Sequence, residues 1–424
     1  MNTALLTDKY EITMLQAALQ SGTANKKAVF EAFTRSLPEG RGYGVVGGTT
    51  RLIEAIENFT FTKEDIEYLS QDPLLTKETI EYLKNYKFSG TITGYPEGDL
   101  YFPNSPILTV EGTFGECVLL ETLILSILNH DSAIASAAAR IVQAANKIDL
   151  IEMGSRRTHE QAAIHAARIA YITGFTATSN LEAGKQYGIP TTGTSAHAFT
   201  LAFPTEKEAF QAQIQALGTK TTLLVDTYNI EQGIKTAIET AGTELGGIRI
   251  DSGDLTQETH KARKLLNKLG ATNTKIVLSS DIDEYTITEL KNNKAPVDAV
   301  GVGTKLVTGS GHPTASMVYK LVAIEENNTL KPVAKKSTDK KSTGGKKHAY
   351  RTIKNNTITN EYLTLTENPN KQKIQKTFIK NGITKQLPTI EQIRTHHLNT
   401  IKQLPKHKLT TQNTIPAFLP KLGE

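Results

Sequence analysis

The chain has 424 residues, of which 38% are hydrophobic, and its 48 basic and 43 acidic side chains leave a formal charge of +5. This length and composition predict a globular protein with one large α/β unit and a smaller domain. The single cysteine, Cys117, excludes an internal disulfide framework and a cysteine-based zinc cluster.

No targeting or membrane segment is recognisable in the sequence. The N-terminal stretch MNTALLTDKYEITM contains Asp8 and Lys9 and lacks the apolar core of a signal peptide. The most apolar segment, CVLLETLILSIL, is too short to span a bilayer and contains Glu121. We therefore expect a cytoplasmic protein without a membrane partner.

The N-terminal part, residues 1–125, mixes helical and strand patterns. Residues 64–86 have the periodicity of helices, whereas AVFEAFTR, GTITGYPEG and ILTVEG are typical of strands between glycine turns. This combination predicts an α+β domain. The following alanine-rich stretch, residues 116–145, is predicted to be helical.

The central part, residues 126–324, alternates short apolar strands with amphipathic helices, a pattern typical of a parallel sheet or barrel. Its strands end in polar or glycine residues. In a β/α barrel these strand ends would converge on one mouth, and an open doubly wound sheet would gather them less completely. The strand-end residues are Asp226, Asp251, Ser252, Ser279, Asp281 and the turn 301–304.

The last part, residues 325–424, is predicted to contain short strands and basic loops. Its stretch KKSTDKKSTGGKKHAYR is either a solvated loop or a lid that contacts an anion. Aromatic residues are almost absent among its lysines, so base stacking is not favoured and we expect no nucleic-acid partner.

The segment IRIDSGDL, residues 248–255, places a cation and two carboxylates just past a strand. Buried charges need a partner or a ligand, so Arg249, Asp251 and Asp254 form either an internal ion-pair cluster or a polar ligand site. Arginine suits a carboxylate or a phosphate, whereas aspartate suits ribose hydroxyls or Mg²⁺. We favour the ligand site.

Three further segments carry groups suited to phosphate chemistry. VGVGTKL ends a strand in a glycine turn that can present backbone N–H groups to phosphate oxygens. EMGSRRTHEQAA places Arg156 and Arg157 at a predicted helix start, where they are phosphate ligands or surface residues. IPTTGTSAHAF sets His197 among small residues; taken alone it is a histidine at a turn or an acceptor of a proton or phosphoryl group. Together these groups predict a phosphorylated sugar as ligand.

The chain resembles the nicotinate phosphoribosyltransferase family over most of its length. The likeness is carried, in the family's order, by LLTDKYEITM, FEAFTRSLPEGRGYGVVGG, EMGSRR, GFTATSN, GIPTTGTSAH, IRIDSGDL, SSDIDE, GVGTKLVT and KKSTDKKSTGGKKHAYR. It implies the type II phosphoribosyltransferase fold, an irregular TIM-like α/β barrel with an open-faced α+β sandwich domain that the C-terminal strands join. It also implies a homodimer with shared active sites.

The resemblance implies the synthesis of nicotinate mononucleotide and pyrophosphate from nicotinate and 5-phosphoribosyl 1-pyrophosphate (PRPP), a step of NAD salvage. ATP would phosphorylate His197 and be hydrolysed during the cycle, which places the enzyme in the ATP-dependent ligase class. Mg²⁺ would be bound mainly through the PRPP or ATP phosphates, with Asp251 as a further candidate ligand.

The resemblance also assigns roles to individual residues. Arg249 and Asp251 would join His197 in catalysis, and Arg249 would meet the nicotinate carboxylate or the pyrophosphate. The nicotinate site would further contain Met153, Ser179 and Tyr10, with Tyr10 reaching over from the partner subunit. The PRPP phosphates would be held by Arg156, Ser280, Asp281, Gly301, Gly303 and Thr304, with the 5-phosphate on Ser280 and Asp281 or on Gly303 and Thr304.

The sequence departs from the family pattern at three positions. Met153 stands where an aromatic residue is usual, which predicts weaker stacking on the pyridine ring. Ala177 replaces a frequent glycine, and Ser155 replaces a more usual apolar residue.

The rival interpretations differ in the pyridine substrate or in whether the protein is an active enzyme. A nicotinamide-using relative would have an aspartate at the position of Ser179, so the serine favours the acid. Quinolinate phosphoribosyltransferase is shorter and lacks the ATP-linked histidine. A catalytically silent homologue acting as a binding protein is disfavoured because His197, Arg249, Asp251 and Asp281 are all present.

Overall fold

The computed structural model describes residues 2–335, 343–413 and 415–423. The chain forms two compact units, one of Met1–Ser136 with His312–Glu424 and one of Ala137–Gly311. The central unit is therefore shorter than the predicted 126–324. The difference at its C-terminal end arises because the strand Met317–Glu326 pairs with Lys27–Thr34 of the first unit.

Helices and strands are numbered separately in chain order. The α-helices of the described residues are α1 Lys9–Gln20, α2 Thr49–Glu57, α3 Lys63–Leu69, α4 Lys77–Lys84, α5 Phe114–Val118, α6 Glu121–Ala145, α7 Glu160–Thr173, α8 Leu181–Tyr187, α9 His197–Leu201, α10 Glu206–Leu217, α11 Ile230–Ala241, α12 Leu255–Lys268, α13 Glu284–Asn292, α14 Thr304–Val307 and α15 Ile390–Ile401.

The strands are β1 Lys27–Thr34, β2 Gly44–Val45, β3 Thr91–Gly94, β4 Leu100–Tyr101, β5 Leu108–Thr113, β6 Asp149–Glu152, β7 Ala177–Thr178, β8 Thr222–Leu224, β9 Gly247–Ile250, β10 Lys275–Ser280, β11 Ala299–Val302, β12 Met317–Glu326, β13 Thr329–Pro332, β14 His348–Lys354, β15 Thr357–Thr364, β16 Lys376–Lys380 and β17 Ile383–Thr384. Within the part of the chain that the structure describes, no helix is both long enough and apolar enough to cross a membrane.

The first unit is built on a seven-stranded antiparallel sheet with the order β13-β12-β1-β5-β3-β16-β17. Four of these strands come from the C-terminal part of the chain and join strands from the N-terminal part. The core includes Phe30 of β1 stacked on Tyr319 of β12, with ring centroids 4.8 Å apart. Burial of such rings stabilises the pairing of segments that lie far apart in sequence.

The predicted helices and strands of the N-terminal part are present. Residues 116–145, predicted to be helical, lie mostly in two helices, α5 and α6. The capping box of Thr113 and Glu116 begins α5. A second start follows because the Glu11 carboxylate accepts a hydrogen bond from the backbone N–H of Thr122, at 2.8 Å, in the first turn of α6.

The second unit contains six parallel strands in the order β7-β6-β11-β10-β9-β8. The first strand of the unit, β6, lies beside the last, β11, whereas the consecutive strands β7 and β8 are at opposite ends of the order. This is the strand order of a barrel opened between β7 and β8. The predicted irregular α/β barrel is confirmed, and the doubly wound alternative is not observed.

A buried charge network in the first unit joins three elements. Arg351 of β14 donates from Nε to Glu361 of β15 at 2.8 Å and from Nη1 to Asp99. Its side chain is 8% exposed. Burial alone would raise the pKa of Asp99, but the charges of Arg351 and His396 outweigh it and lower the pKa to about 2.

Replacing Arg351 with methionine is expected to lower the free energy of unfolding by about 3–5 kcal/mol, because two buried carboxylates lose their cation. Thermal denaturation of the full chain measures the effect. Lys354→Met, at an exposed position of the same strand, is the matched control and should change the melting temperature little. Equal effects of the two substitutions would contradict the assignment.

A second prediction concerns His397 of α15, which is fully buried. Its Nδ1 lies 2.8 Å from the Gly98 carbonyl oxygen, and its buried Nε2 has no hydrogen-bond partner. Burial, reinforced by the positive charge of His396, lowers the pKa of His397 to about 4, although the Gly98 carbonyl opposes the shift. The folded chain therefore holds this imidazole neutral.

The unfolded chain binds the His397 proton near pH 6.5, so stability is full above that pH and is lost as the pH falls toward about 4. At pH 5 the loss is about 2 kcal/mol. His397→Leu should reduce the difference between melting temperatures at pH 7.5 and pH 5, and His407→Leu, at an exposed histidine, should not. An unchanged difference in His397→Leu would show that another group carries the acid sensitivity.

Candidate active site

The candidate site lies in the second unit, at the carboxyl ends of its parallel strands. Asp226 follows β8, Arg249 lies in β9, and Asp251 follows β9 directly. These side chains meet because β8 and β9 are paired neighbours in register, with Leu224 opposite Arg249. Of the residues predicted to gather at the strand ends, Asp226 and Asp251 meet in this way.

Asp226 connects the ends of β8 and β9. Its side chain is 1% exposed, and its Oδ2 accepts hydrogen bonds from the backbone N–H of Asp251 and from Oγ of Ser252, both at 2.8 Å. The other oxygen, Oδ1, is buried without a hydrogen-bond partner. Asp226 therefore positions the loop that carries Asp251 and leaves one oxygen directed toward the site.

His197 is the first residue of α9, in the segment that connects β7 with β8. Its Nδ1 lies 3.2 Å from Oγ1 of Thr227, and its Nε2 lies 3.8 Å from both Asp226 Oδ1 and Asp251 Oδ2. The side chain is 40% exposed. The ring is thus oriented by protein groups on both nitrogens and is still accessible to a ligand.

Arg249 is positioned as an anion ligand with one donor already used. Its Nη1 donates to Oγ1 of Thr194 at 2.9 Å, and its buried Nε has no hydrogen-bond partner. Burial, and to a smaller extent the charge of Arg156, lowers the pKa of Arg249, while Asp251 and Asp226 oppose the shift. A half-buried guanidinium whose buried Nε–H is unsatisfied favours a bound carboxylate or phosphate.

The ends of β6 and β7 are connected through Glu152, which is buried. Its carboxylate accepts from the backbone N–H of Gly154 and from Oγ1 of Thr178, and its carbonyl accepts from the N–H of Ser179 at 2.8 Å. Burial raises the pKa of Glu152. This network sets the positions of Met153 and Ser179, two of the predicted nicotinate-site residues.

Met153 packs against the strand β11. A Cβ at Gly301 would lie 2.5 Å from the Met153 sulfur, so the glycine provides the space that the thioether occupies. The backbone N–H of Met153 donates to the Val302 carbonyl at 2.8 Å. Gly301 therefore lies within β11 rather than in the predicted glycine turn, and it provides space for a side chain, which the sequence analysis did not predict.

The two segments predicted to bind the 5-phosphate lie next to each other. Ser280, the last residue of β10, pairs with Val302 of β11, which precedes Gly303 and Thr304. Asp281 follows Ser280 and is exposed. Because the two strand ends are adjacent, the two alternative positions for the 5-phosphate, at Ser280 or at Gly303, lie on one surface rather than two.

Two predicted residues lie outside this group of contacts. Arg156 is exposed in the loop after β6, and its charge is close enough to affect Arg249. Tyr10 belongs to the first unit, where it lies on α1 with 47% of its surface exposed. Burial, followed by the charge of Glu121, raises its pKa to about 12, so the phenol is neutral at physiological pH.

Sequence reasoning missed several groups in the site. Asp226 was recognised as a strand-end residue but not as a site residue, and Thr194, Thr227 and Glu152 were not singled out. The carboxylate at the end of TLLVDT was a usable signal. The others depend on contacts between segments and have no local signature.

The sequence matches two family models. The nicotinate phosphoribosyltransferase (NAPRTase) N-terminal domain matches residues 5–129, and the nicotinate phosphoribosyltransferase (NAPRTase) family matches residues 148–381. Nicotinate phosphoribosyltransferase pncB1 of Mycobacterium tuberculosis is 56% identical over 366 residues, which cover 84% of this chain and 80% of the relative. The Bacillus subtilis nicotinate phosphoribosyltransferase is 42% identical over 360 residues, covering 82% and 73%.

Among solved structures, human nicotinic acid phosphoribosyltransferase superposes with a TM-score of 0.84 and covers 99% of this chain and 98% of its own. At 24% identity this likeness concerns the fold. The two family models together match most of the chain, and the bacterial relatives are similar over four fifths of it, so the chain belongs to the nicotinate phosphoribosyltransferase family.

Proposed function

We propose that the protein transfers the phosphoribosyl group of PRPP to nicotinate, with release of pyrophosphate, and that ATP hydrolysis through a phosphorylated His197 drives the reaction. The observation that carries the proposal is that His197, Arg249 and Asp251 lie together at the ends of β8 and β9. Asp226 holds the loop of Asp251 in place by hydrogen bonds. The names of the bacterial relatives support the choice of nicotinate, and the proposed reaction would be a step of NAD salvage.

The glycosyl transfer requires the pyridine nitrogen to attack the anomeric carbon as the bond to pyrophosphate breaks. Charge that develops on the leaving group is stabilised by prearranged donors. Arg249 is suited to this task, or to the nicotinate carboxylate, because its Nε is buried and unsatisfied. Asp251 is suited to the ribose hydroxyls, and Arg156 with the Ser280 and Gly303 surface to the phosphates.

In the ATP-linked step, a histidine nitrogen would take the γ-phosphoryl group as the bond to ADP breaks, and water would later cleave the phosphohistidine. The partly exposed imidazole and its contacts with Thr227, Asp226 and Asp251 support this role. Carboxylates near Nε2 favour the tautomer with a proton on that nitrogen. An unprotonated Nδ1 can accept a hydrogen bond from the Thr227 hydroxyl.

Mg²⁺ would enter the site with the substrate phosphates. The described residues contain no group of three or more acidic, histidine or cysteine side chains arranged to hold a metal ion. The side chain of Asp251 is 39% exposed and can supply one carboxylate ligand. One carboxylate is enough for Mg²⁺ when phosphates and water supply its other ligands. When bound, the ion would neutralise phosphate charge.

Three related points belong to the same proposal. The functional unit would be a homodimer in which Tyr10 of one subunit stacks on the nicotinate held by the other, with Met153 and Ser179 lining the base.

The cytoplasmic location stays a prediction. Residues 336–342 of the lysine-rich stretch 335–348 lie outside the described residues, so the lid hypothesis also stays a prediction.

The decisive experiment incubates the full chain with nicotinate, PRPP, Mg²⁺ and ATP, and measures nicotinate mononucleotide, pyrophosphate and ADP together. We expect all three products, and more nucleotide with ATP than without it. Replacing nicotinate with nicotinamide should give a lower kcat/KM. Faster use of nicotinamide would overturn the choice of base, and absence of any nucleotide product would favour a silent homologue.

A further inference from the structure

The segment that leads into His197 is weakly held by its own backbone. Gly193, Thr194 and Ser195 belong to no helix or strand, and within the described part of the chain their backbone groups make no hydrogen bonds to other backbone groups. Gly193 is exposed, and a Cβ built on it would have no atom within 4 Å. A segment of this kind keeps one position only if a side chain holds it.

The side-chain contact comes from Arg249. Its Nη1 donates to Oγ1 of Thr194 at 2.9 Å, across a separation of 55 residues in the chain. Arg249 lies in β9, whose backbone is fixed by its pairing with β8 and β10. The hydrogen bond therefore attaches the segment before His197 to the parallel sheet.

The segment and the end of β9 are connected a second time, through His197 itself. Its Nε2 lies 3.8 Å from Oδ2 of Asp251. Asp251 follows Arg249 by two residues, and His197 follows Thr194 by three. These four residues close a ring of contacts, so the position of the imidazole and that of the guanidinium depend on each other.

The same hydrogen bond restricts the orientation of the guanidinium. Arginine presents five N–H groups in one plane, so an acceptor that holds Nη1 limits the rotation of the whole plane. Thr194 is half-buried, which limits the access of water to this contact. The remaining donors of Arg249 are therefore kept in a defined direction before an anion binds.

We propose that Thr194 is a positioning residue for both steps of the reaction: its hydroxyl orients Arg249 for the anionic substrate and holds the segment of His197 at the end of β9. The inference rests on the proposed function, in which Arg249 binds a substrate anion and His197 accepts the phosphoryl group. Thr194 itself contacts neither the anion nor the phosphoryl group in this scheme.

The kinetic test compares Thr194→Val, Thr194→Ser and Thr192→Val with the wild type. Valine keeps the shape of threonine but cannot accept from Arg249, so KM for the substrate that Arg249 binds should rise about tenfold. The ratio of the rates with and without ATP should fall as well. Serine keeps the hydroxyl and should restore both values, and Thr192→Val, at an exposed position of the same segment, should behave as the wild type.

The kinetic outcomes separate positioning from a general loss of folding. Misfolding would lower kcat for all substrates in proportion, whereas loss of the Thr194 hydroxyl should raise KM for one substrate more than it lowers kcat. Wild-type KM values together with a wild-type ATP ratio in Thr194→Val would overturn the role of Thr194.

Hydrogen exchange of the full chain without substrates tests the contact independently of activity. Thr194→Val and Arg249→Ala should each speed the exchange of the hydrogen-bonded amides of Phe199 and Ala202 in and after α9 about tenfold. The double variant should exchange no faster than Arg249→Ala, because both substitutions remove the same hydrogen bond. Thr192→Val should exchange as the wild type.

The two measurements have distinguishable failures. Exchange that follows this pattern in a protein that makes no nucleotide would overturn the proposed function and leave the contact between Thr194 and Arg249 established. Additive effects of Thr194→Val and Arg249→Ala, or unchanged exchange in Thr194→Val, would overturn the role of Thr194 whatever the activity.

Discussion

Replacing His197 with asparagine is expected to abolish the stimulation of nucleotide synthesis by ATP while slow ATP-independent synthesis continues. Asparagine is close in size to histidine and can still contact Thr227, but its amide does not accept a phosphoryl group. The ratio of the rates with and without ATP should fall to about one. Acid-labile phosphate transferred to the protein from γ-labelled ATP should disappear in parallel.

The matched control is His260→Asn in the same unit. His260 is exposed on α12, where its Nε2 lies 3.1 Å from the Asn293 carbonyl oxygen, away from the strand ends described above. This variant should keep the wild-type ATP ratio. Full ATP coupling in His197→Asn, or an equal loss in His260→Asn, would refute the assignment of the phosphorylated residue.

Replacing Arg249 with alanine is expected to lower kcat/KM for nucleotide synthesis about a thousandfold. The guanidinium contributes charge-assisted hydrogen bonds, and two such bonds at about 1.5–3 kcal/mol each account for roughly 4 kcal/mol, or three decades in rate. The substitution also leaves the Thr194 hydroxyl without its donor and Asp251 without a nearby cation. Steady-state kinetics with nicotinate and PRPP varied separately would show which substrate loses the contact.

Two further variants define what Arg249 contributes. Arg249→Lys keeps the charge without the planar fork and should recover about a tenth to a hundredth of the wild-type kcat/KM. Arg263→Ala removes an arginine that donates to the backbone carbonyls of Thr272 and Thr274, at the opposite end of β10. Its kcat/KM should stay within about threefold of the wild type. A small effect of Arg249→Ala would show that the site uses another anion ligand.

The alternation of strands and helices in the second unit could be predicted from the sequence, as could the polar residues at the strand ends. Both are local properties: an apolar run followed by Asp251 or by Gly303 is visible within a few residues. The family resemblance adds roles to these positions. The boundary between α5 and α6 has no local signal of this kind, because the start of α6 contacts Glu11, more than a hundred residues away.

The sequence by itself determined the composition of the site: an arginine and an aspartate after one strand, a histidine among small residues, and a glycine turn after another. Only the tertiary structure decided which of these groups touch. Pairing of β8 with β9 lets Asp226 hold the Asp251 loop, and pairing of β11 with β6 places Met153 against Gly301. Burial, rather than residue type, raises the pKa of Glu152. The physical reason is that strand order and desolvation arise from contacts between distant segments, which local sequence patterns do not encode.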